Sequence, residues 1–224
     1  MQNPLRFTLL VTLIFTTTLL SAAEKKKTGF ARWQKAMDAF TAADHENPTP
    51  PGGVLFVGSS SIRLWDLKES FPNLNALNRG FGGSAIRDSI HFFDTLILKH
   101  RPRTVVLYAG DNDISGGYNA EQTHQDFLKF QKKLDTALPG TKLVFVAIKP
   151  SISRWKLAPT MHEANQMIAA TCAEDDRLIY LDIWGPMLGE DGRPRPEYFR
   201  KDGLHLNAIG YDLWNKLLTP HLKE

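Results

Sequence analysis

Along most of the chain, short apolar runs alternate with longer segments of helical periodicity. Runs rich in β-branched or aliphatic residues open at Val54 (VLFV), Leu74 (LNALN), Thr104 (TVVLYA), Lys142 (KLVFVAI) and Leu178 (LIYLDI). Between most of them, apolar residues recur every three to four positions, the spacing of one helix face. Such segments are SAIRDSIHFFDTLILKHR, with Ser84 as a candidate cap, and NAEQTHQDFLKFQKKLDTAL, which stops at Pro139-Gly140. APTMHEANQMIAATCAEDD and the C-terminal NAIGYDLWNKLLTPHLK follow the same pattern. An earlier helical segment, GFARWQKAMDAFTAADHE, ends at the breaker cluster NPTPPGG.

Strands that are apolar throughout, rather than alternating, are those covered on both faces, as parallel strands are. Five such runs alternating with helices predict an α/β fold: a five-stranded parallel sheet in a three-layer α/β/α sandwich. In open sheets of this kind, ligands bind beyond the carboxyl ends of the strands. That edge is where chemistry is expected.

Composition narrows the picture. The chain has 224 residues, 42% of them hydrophobic, and a formal net charge of +3. A domain of this length buries roughly 70% of the surface its unfolded chain exposes, so it needs no disulfide or metal to fold. Part of the basic excess is the local cluster Lys25-Lys26-Lys27, and no basic stripe marks a nucleic-acid footprint. Arg6 precedes FTLLVTLIFTTTLL and then SAA, the layout of a secretory signal peptide cleaved after Ala23. The expected division is therefore a signal peptide over 1–23, a helix and linker over 24–52, and the main α/β domain over 53–224. This makes the mature protein secreted or periplasmic, with no stable membrane insertion after cleavage; an uncleaved anchor is the alternative. The single cysteine, Cys172, cannot form an internal bridge and reads as a small buried hydrophobe.

Each predicted strand end carries polar or glycine-rich residues. These are Gly58-Ser59-Ser60-Ser61, then NRGFGGSAI (78–86), GDNDI (110–114), KPSISRW (149–155), and KDGLHLNAIGY (201–211) before the last helix. Together they can serve acyl transfer. A serine hydroxyl must lose its proton to attack a carbonyl, and a histidine is the usual acceptor. The histidine needs a carboxylate to fix its tautomer, and Asp202 and His205 lie three apart on one loop. Backbone N–H groups near the glycines and an amide such as Asn112 are candidate donors to the oxyanion. A glycine-rich turn before a helix can equally hold an anion. The other histidines lack ligand spacing, and no metal site is expected.

Gly58-Ser59-Ser60, Gly83 in GFGGS, Gly110-Asp111-Asn112-Asp113 and Asp202-Gly203-Leu204-His205 resemble, in order, the four blocks of the SGNH hydrolases, also called the GDSL esterase/lipase family. The likeness is strongest to the acetylhydrolase branch. It implies a flavodoxin-like sandwich, a small-molecule ester as substrate, and no metal or organic cofactor. It also implies Ser60 as nucleophile, His205 as base and Asp202 as its carboxylate. The oxyanion donors would be the Ser60 and Gly83 N–H groups and Asn112, with Asp113 supporting that loop. The first block departs from the family where Ser59 replaces the usual aspartate, which leaves Ser61 as an alternative frame. No G-x-S-x-G elbow is present.

Trp65, Arg154 and Trp155 fall in or after strand-end loops and are candidate substrate contacts, with packing or solvent exposure as the plainer roles. With no lid-like insertion, the expected substrate carries a short, acetyl-type acyl group on a carbohydrate or other polar alcohol. A lysophospholipase or thioesterase with the same triad is the rival enzyme. A non-catalytic carbohydrate- or anion-binding module is the rival of another class.

Overall fold

The computed structural model describes residues 29–222. The expected signal peptide over 1–23 lies outside the described residues. The described part opens with a 3-10 turn, Gly29–Trp33, that runs into α1 (Gln34–Glu46). Then come β1 (Val54–Gly58), α2 (Ser60–Arg63), α3 (Leu67–Ser70) and β2 (Ala76–Gly80). α4 (Ile86–His91), α5 (Phe93–Leu96), β3 (Thr104–Tyr108), α6 (Asp111–Ser115) and α7 (Ala120–Ala137) form the middle. β4 (Lys142–Val146), α8 (Ala158–Cys172), β5 (Leu178–Leu181) and α9 (Ala208–Leu222) complete it.

All four strand pairings are parallel, in the order β2-β1-β3-β4-β5. The central strands β1 and β3 are buried at every position, which is why their sequences are apolar throughout. Successive side chains point to opposite faces of the sheet. Leu55, Val57, Val105, Leu107, Leu143 and Phe145 meet Met37, Phe93, Phe127 and Ile168 on one side. Val54, Phe56, Val106, Tyr108, Val144 and Val146 meet Ile62, Trp65, Trp214 and Leu218 on the other. Burying a side chain such as Phe56 or Val106 stabilises the fold by roughly 1.5–3 kcal/mol. Helices therefore cover both faces, and the expected three-layer sandwich is the observed one. Among the described residues no helix is long and apolar enough to cross a membrane.

Local detail departs from the sequence pattern in two places. The segment opened by Ser84 is not one helix but α4, α5 and a 3-10 turn at Leu98–His100. Nor is Ser84 its cap: Ala85 occupies the N-cap, its N–H donating to Asp88 Oδ2 at 2.7 Å. Asp88 supplies the terminating acceptor that the serine was expected to provide. The second strand starts at Ala76 rather than Leu74. As an edge strand with half-buried residues, it lacks the continuous apolar signal of β1 and β3.

Candidate active site

The site is built where β1 stops. Gly58 has φ +137°, and a Cβ there would stand 1.9 Å from the Tyr108 carbonyl oxygen on β3. Only glycine permits that approach. The Ser59 N–H still bonds the Tyr108 carbonyl at 3.0 Å, and the chain then turns into α2 with Ser60 first.

The three serines have different fates. Ser59 and Ser61 are buried. Ser61 has its Oγ enclosed without a partner, while its carbonyl accepts from Tyr211 Oη at 2.8 Å. Ser60 is half-buried, and its Oγ lies 3.1 Å from His205 Nε2. The middle serine is the one that meets the histidine.

Asp202 shapes the loop that carries His205. Its Oδ1 accepts the backbone N–H groups of Leu204 and His205, each at 2.9 Å, leaving Oδ2 2.7 Å from His205 Nδ1. The ring bond first, then the two backbone donors, hold the Asp202 carboxyl far below the usual carboxylate range. An ionised carboxylate can only accept, so Nδ1 carries the proton and the Nε2 lone pair faces Ser60. The loop is pinned further by Arg200 N–H to the His205 carbonyl at 2.7 Å and Ser153 N–H to the Gly203 carbonyl at 3.1 Å.

Three groups are the candidate donors to a developing negative charge. The N–H groups of Ser60 and Gly83 have no hydrogen-bond partner among the described residues. Gly83 sits at φ +77°, in the left-handed region, where its Cβ position faces open space. The Asn112 amide is oriented from both ends: Oδ1 accepts from Arg154 Nη1 at 3.1 Å, and Nδ2 donates to the Ser84 carbonyl at 3.0 Å. An amide nitrogen has two hydrogens, so one remains for a ligand. Asp113 ties the two loops together, accepting from Ile86 N–H and Gly110 N–H, both at 3.0 Å. Burial pushes its carboxyl up to about 6, against the pull of those donors.

Beneath Asn112, Lys149, Asp111 and Arg154 form a charged cluster whose members the sequence named only separately. Lys149 is 1% exposed, with Nζ 2.7 Å from Asp111 Oδ2 and 2.9 Å from Tyr108 Oη. Tyr108 Oη donates in turn to Asp111 Oδ2 at 3.2 Å, and Arg154 pairs with Asp111 Oδ1. An unpaired buried charge costs several kcal/mol, so Lys149 requires its carboxylate. Burial alone would raise the Asp111 carboxyl; the neighbouring Lys149 and Arg154 charges outweigh it and pull it down. Two cations on one anion leave this base of the site net positive. A lysine directly after the apolar run of β4 was the available signal.

The three candidate substrate contacts have different surroundings. Trp65 is 2% exposed and packs against Phe56, Phe71, Tyr211 and Trp214. Its indole donates to Asn215 Oδ1 at 2.8 Å and Ser70 Oγ at 3.2 Å, so it is a core residue and not a stacking platform. Trp155 is half-buried, stacked on Trp184 with Arg193 over its ring. Arg154 reaches the site, but its contacts there are Asp111 and Asn112 rather than solvent. From Gly83 and Asn112 an open groove of about 280 Å³ runs past Arg32, Arg87 and Tyr118. A larger cleft of about 530 Å³, between Phe71, Leu74 and Leu222, lies at the amino edge of the sheet and holds none of these groups.

A doubly wound sandwich with a serine, a histidine and an aspartate linked at the carboxyl edge of its sheet has the architecture of a hydrolase. The model of the GDSL-like lipase/acylhydrolase family matches residues 63–213, and the chain belongs to that family. The match starts just after Ser60, so the place of that serine rests on its own geometry. A GDSL-like lipase from Bacteroides thetaiotaomicron is 20% identical, with a TM-score of 0.72 over 87% of this chain and 98% of that one. An acetylxylan esterase from Geobacillus stearothermophilus, in catalytic-mutant form, is 13% identical, with a TM-score of 0.62 over 78% and 96%. A lipolytic G-D-S-L family member from Veillonella parvula is 17% identical, with a TM-score of 0.62 over 75% and 96%. No curated protein matches the chain. At these identities the solved structures establish the fold. Family membership makes the chain an ester-hydrolase family protein acting on small-molecule esters.

Proposed function

We propose that the protein is a serine esterase that removes short, acetyl-type groups from a polar alcohol through an acyl-enzyme. The observation that carries this reading is the hydrogen-bonded line from Ser60 Oγ through His205 to Asp202, with the N–H groups of Ser60 and Gly83 left unpartnered among the described residues. His205 Nε2 takes the Ser60 proton as Oγ bonds the ester carbonyl carbon. The carbonyl oxygen becomes an oxyanion held by the Ser60 and Gly83 N–H groups and the free Asn112 N–H. The ester C–O bond then breaks, the alcohol leaves with the proton from His205, and the acyl group stays on Ser60. Water, deprotonated by the same imidazole, repeats the cycle and releases the acid. Removing one oxyanion donor from such sites typically costs about 10²–10³ in rate.

The groove beside Gly83 and Asn112, at about 280 Å³ just below the roughly 300–1,000 Å³ of typical ligand pockets, supports a short acyl group over a long one. The same fold serves an acetylxylan esterase, and acetyl on a carbohydrate hydroxyl is the substrate class proposed here. Export by the expected signal peptide is part of the proposal, tested by sequencing the amino terminus of the protein outside the cell membrane: Glu24 is the expected first residue.

Hydrolysis of a p-nitrophenyl ester series, acetate to decanoate, tests the reading, with Ser60→Ala and Ser61→Ala alongside. Acetate is expected to be preferred, with turnover lost only in Ser60→Ala. A long-chain optimum would replace the acetyl assignment with a lipid one. Folded protein with neither turnover nor labelling by a fluorophosphonate would be a binding module.

A further inference from the structure

We propose that Trp33, from the segment ahead of the sheet, is a positioning residue for the oxyanion site; this rests on the esterase reading. Its indole Nε1–H donates to the Gly82 carbonyl oxygen at 3.0 Å. That carbonyl and the Gly83 N–H belong to one peptide unit. Because a trans peptide is planar, its C=O and N–H point in opposite directions. Fixing the oxygen on Trp33 therefore fixes the direction in which the Gly83 hydrogen points.

This peptide needs holding. It is flanked by glycines on both sides, so neither adjoining torsion is restrained by a Cβ, and rotation of the whole unit meets little resistance. Nearby backbone bonding is weak, the Ser84 N–H reaching the Phe81 carbonyl at 3.4 Å. A flip would turn the Gly83 N–H away and present the Gly82 carbonyl oxygen, whose partial negative charge repels an oxyanion. Hydrogen-bonding the carbonyl also polarises the unit and makes its N–H a stronger donor.

Trp33 is itself held firmly. It is 8% exposed, meets Phe81 edge-on at 5.5 Å between ring centroids, and carries the Arg32 guanidinium 3.6 Å above its ring. The helix that follows is tied to the β2 side of the sheet through Asp44, which pairs with Arg79 and Lys99. The segment before the sheet thus completes the site although it lies outside the residues matched by the family model.

Trp33→Phe keeps an aromatic ring and deletes the indole donor. With p-nitrophenyl acetate, kcat is expected to fall about tenfold at nearly constant KM, the equivalent of one lost hydrogen bond. A trifluoromethyl ketone, which forms a Ser60-linked oxyanion, is expected to bind about tenfold more weakly to the variant. Met37→Ala loosens the same helix without touching the indole bond, and its kcat should stay within about twofold of wild type. Trp33→Met serves the comparison if the phenylalanine variant does not fold. An unchanged kcat, a rise in KM alone, or an equal loss in Met37→Ala overturns the proposal. The underlying esterase reading fails separately, if Ser60→Ala remains active. Trp33 variants with wild-type kcat in a protein that needs Ser60 remove only this inference.

Discussion

Asp202 offers a test in which activity and stability should move in opposite directions. In Asp202→Asn, the position of Oδ1 already accepts two backbone N–H groups at 2.9 Å, so the amide oxygen must take it. The amide nitrogen then falls where Oδ2 lies 2.7 Å from His205 Nδ1, a donor where an acceptor is required. Imidazole can answer only by accepting at Nδ1, which moves its proton to Nε2, 3.1 Å from Ser60 Oγ. Such a histidine cannot take the serine proton, and the wrong tautomer costs about 10⁴ in kcat in a serine protease. Asp202→Ala leaves Nδ1 to water, which can accept or donate, and the tautomer is no longer forced. Its expected loss is smaller, about 10²–10³, a difference of at least 1.4 kcal/mol in the barrier. The aspartate side chain is 48% exposed, so water replaces the lost backbone bonds in the alanine variant and the stability cost is under about 1 kcal/mol. Asparagine keeps those bonds and should melt close to wild type. Steady-state kinetics at neutral pH and a urea melt on both variants decide it. If asparagine proves the more active of the two, the orientation inferred from the loop's hydrogen bonds is wrong.

Two other changes are read with simple assays. Trp65→Phe should leave KM for p-nitrophenyl acetate unchanged while costing about 2 kcal/mol in denaturant unfolding, through lost packing and two lost indole bonds; a large KM increase would restore Trp65 to the substrate. Asp113 has a folded pKa of about 6, above the value of about 4 expected unfolded, so the folded state binds more protons between them. Its contribution to stability is therefore full below about pH 4 and lost as pH rises through 6, by an amount on the order of 2–3 kcal/mol. Comparing unfolding at pH 5 and pH 7.5 in wild type and Asp113→Asn isolates it; an identical pH response in both removes the assignment.

The apolar runs of β1, β3 and β4 were legible because both faces of those strands are covered, leaving a continuous signal. β2 was found but placed two residues early, since an edge strand mixes Asn78 and Arg79 with its apolar residues. The likeness of four short blocks to the SGNH hydrolases allowed Ser60, Gly83, Asn112, Asp202 and His205 to be named before their distances were known. What stayed hidden depends on distant partners. Nothing near Trp65 in sequence says that Asn215 receives its indole hydrogen, 150 residues away. Likewise Arg154 acquires its role only when β3 and β4 bring Asp111 beside it, and Trp33 only when α1 docks on the loop after β2.

If Ser60 and His205 are the nucleophile and base proposed above, the 145 residues between them bear on when the protein becomes active. A chain made and folded from its amino end carries the serine on its first strand, but gains the base only on the loop before its last helix. Until α9 packs against Trp65 and Phe56, Ser60 is an ordinary alcohol at a turn. On that reading, incomplete or truncated chains are expected to be chemically silent however much of the sheet they have formed. Hydrolysis reports the arrival of the last element.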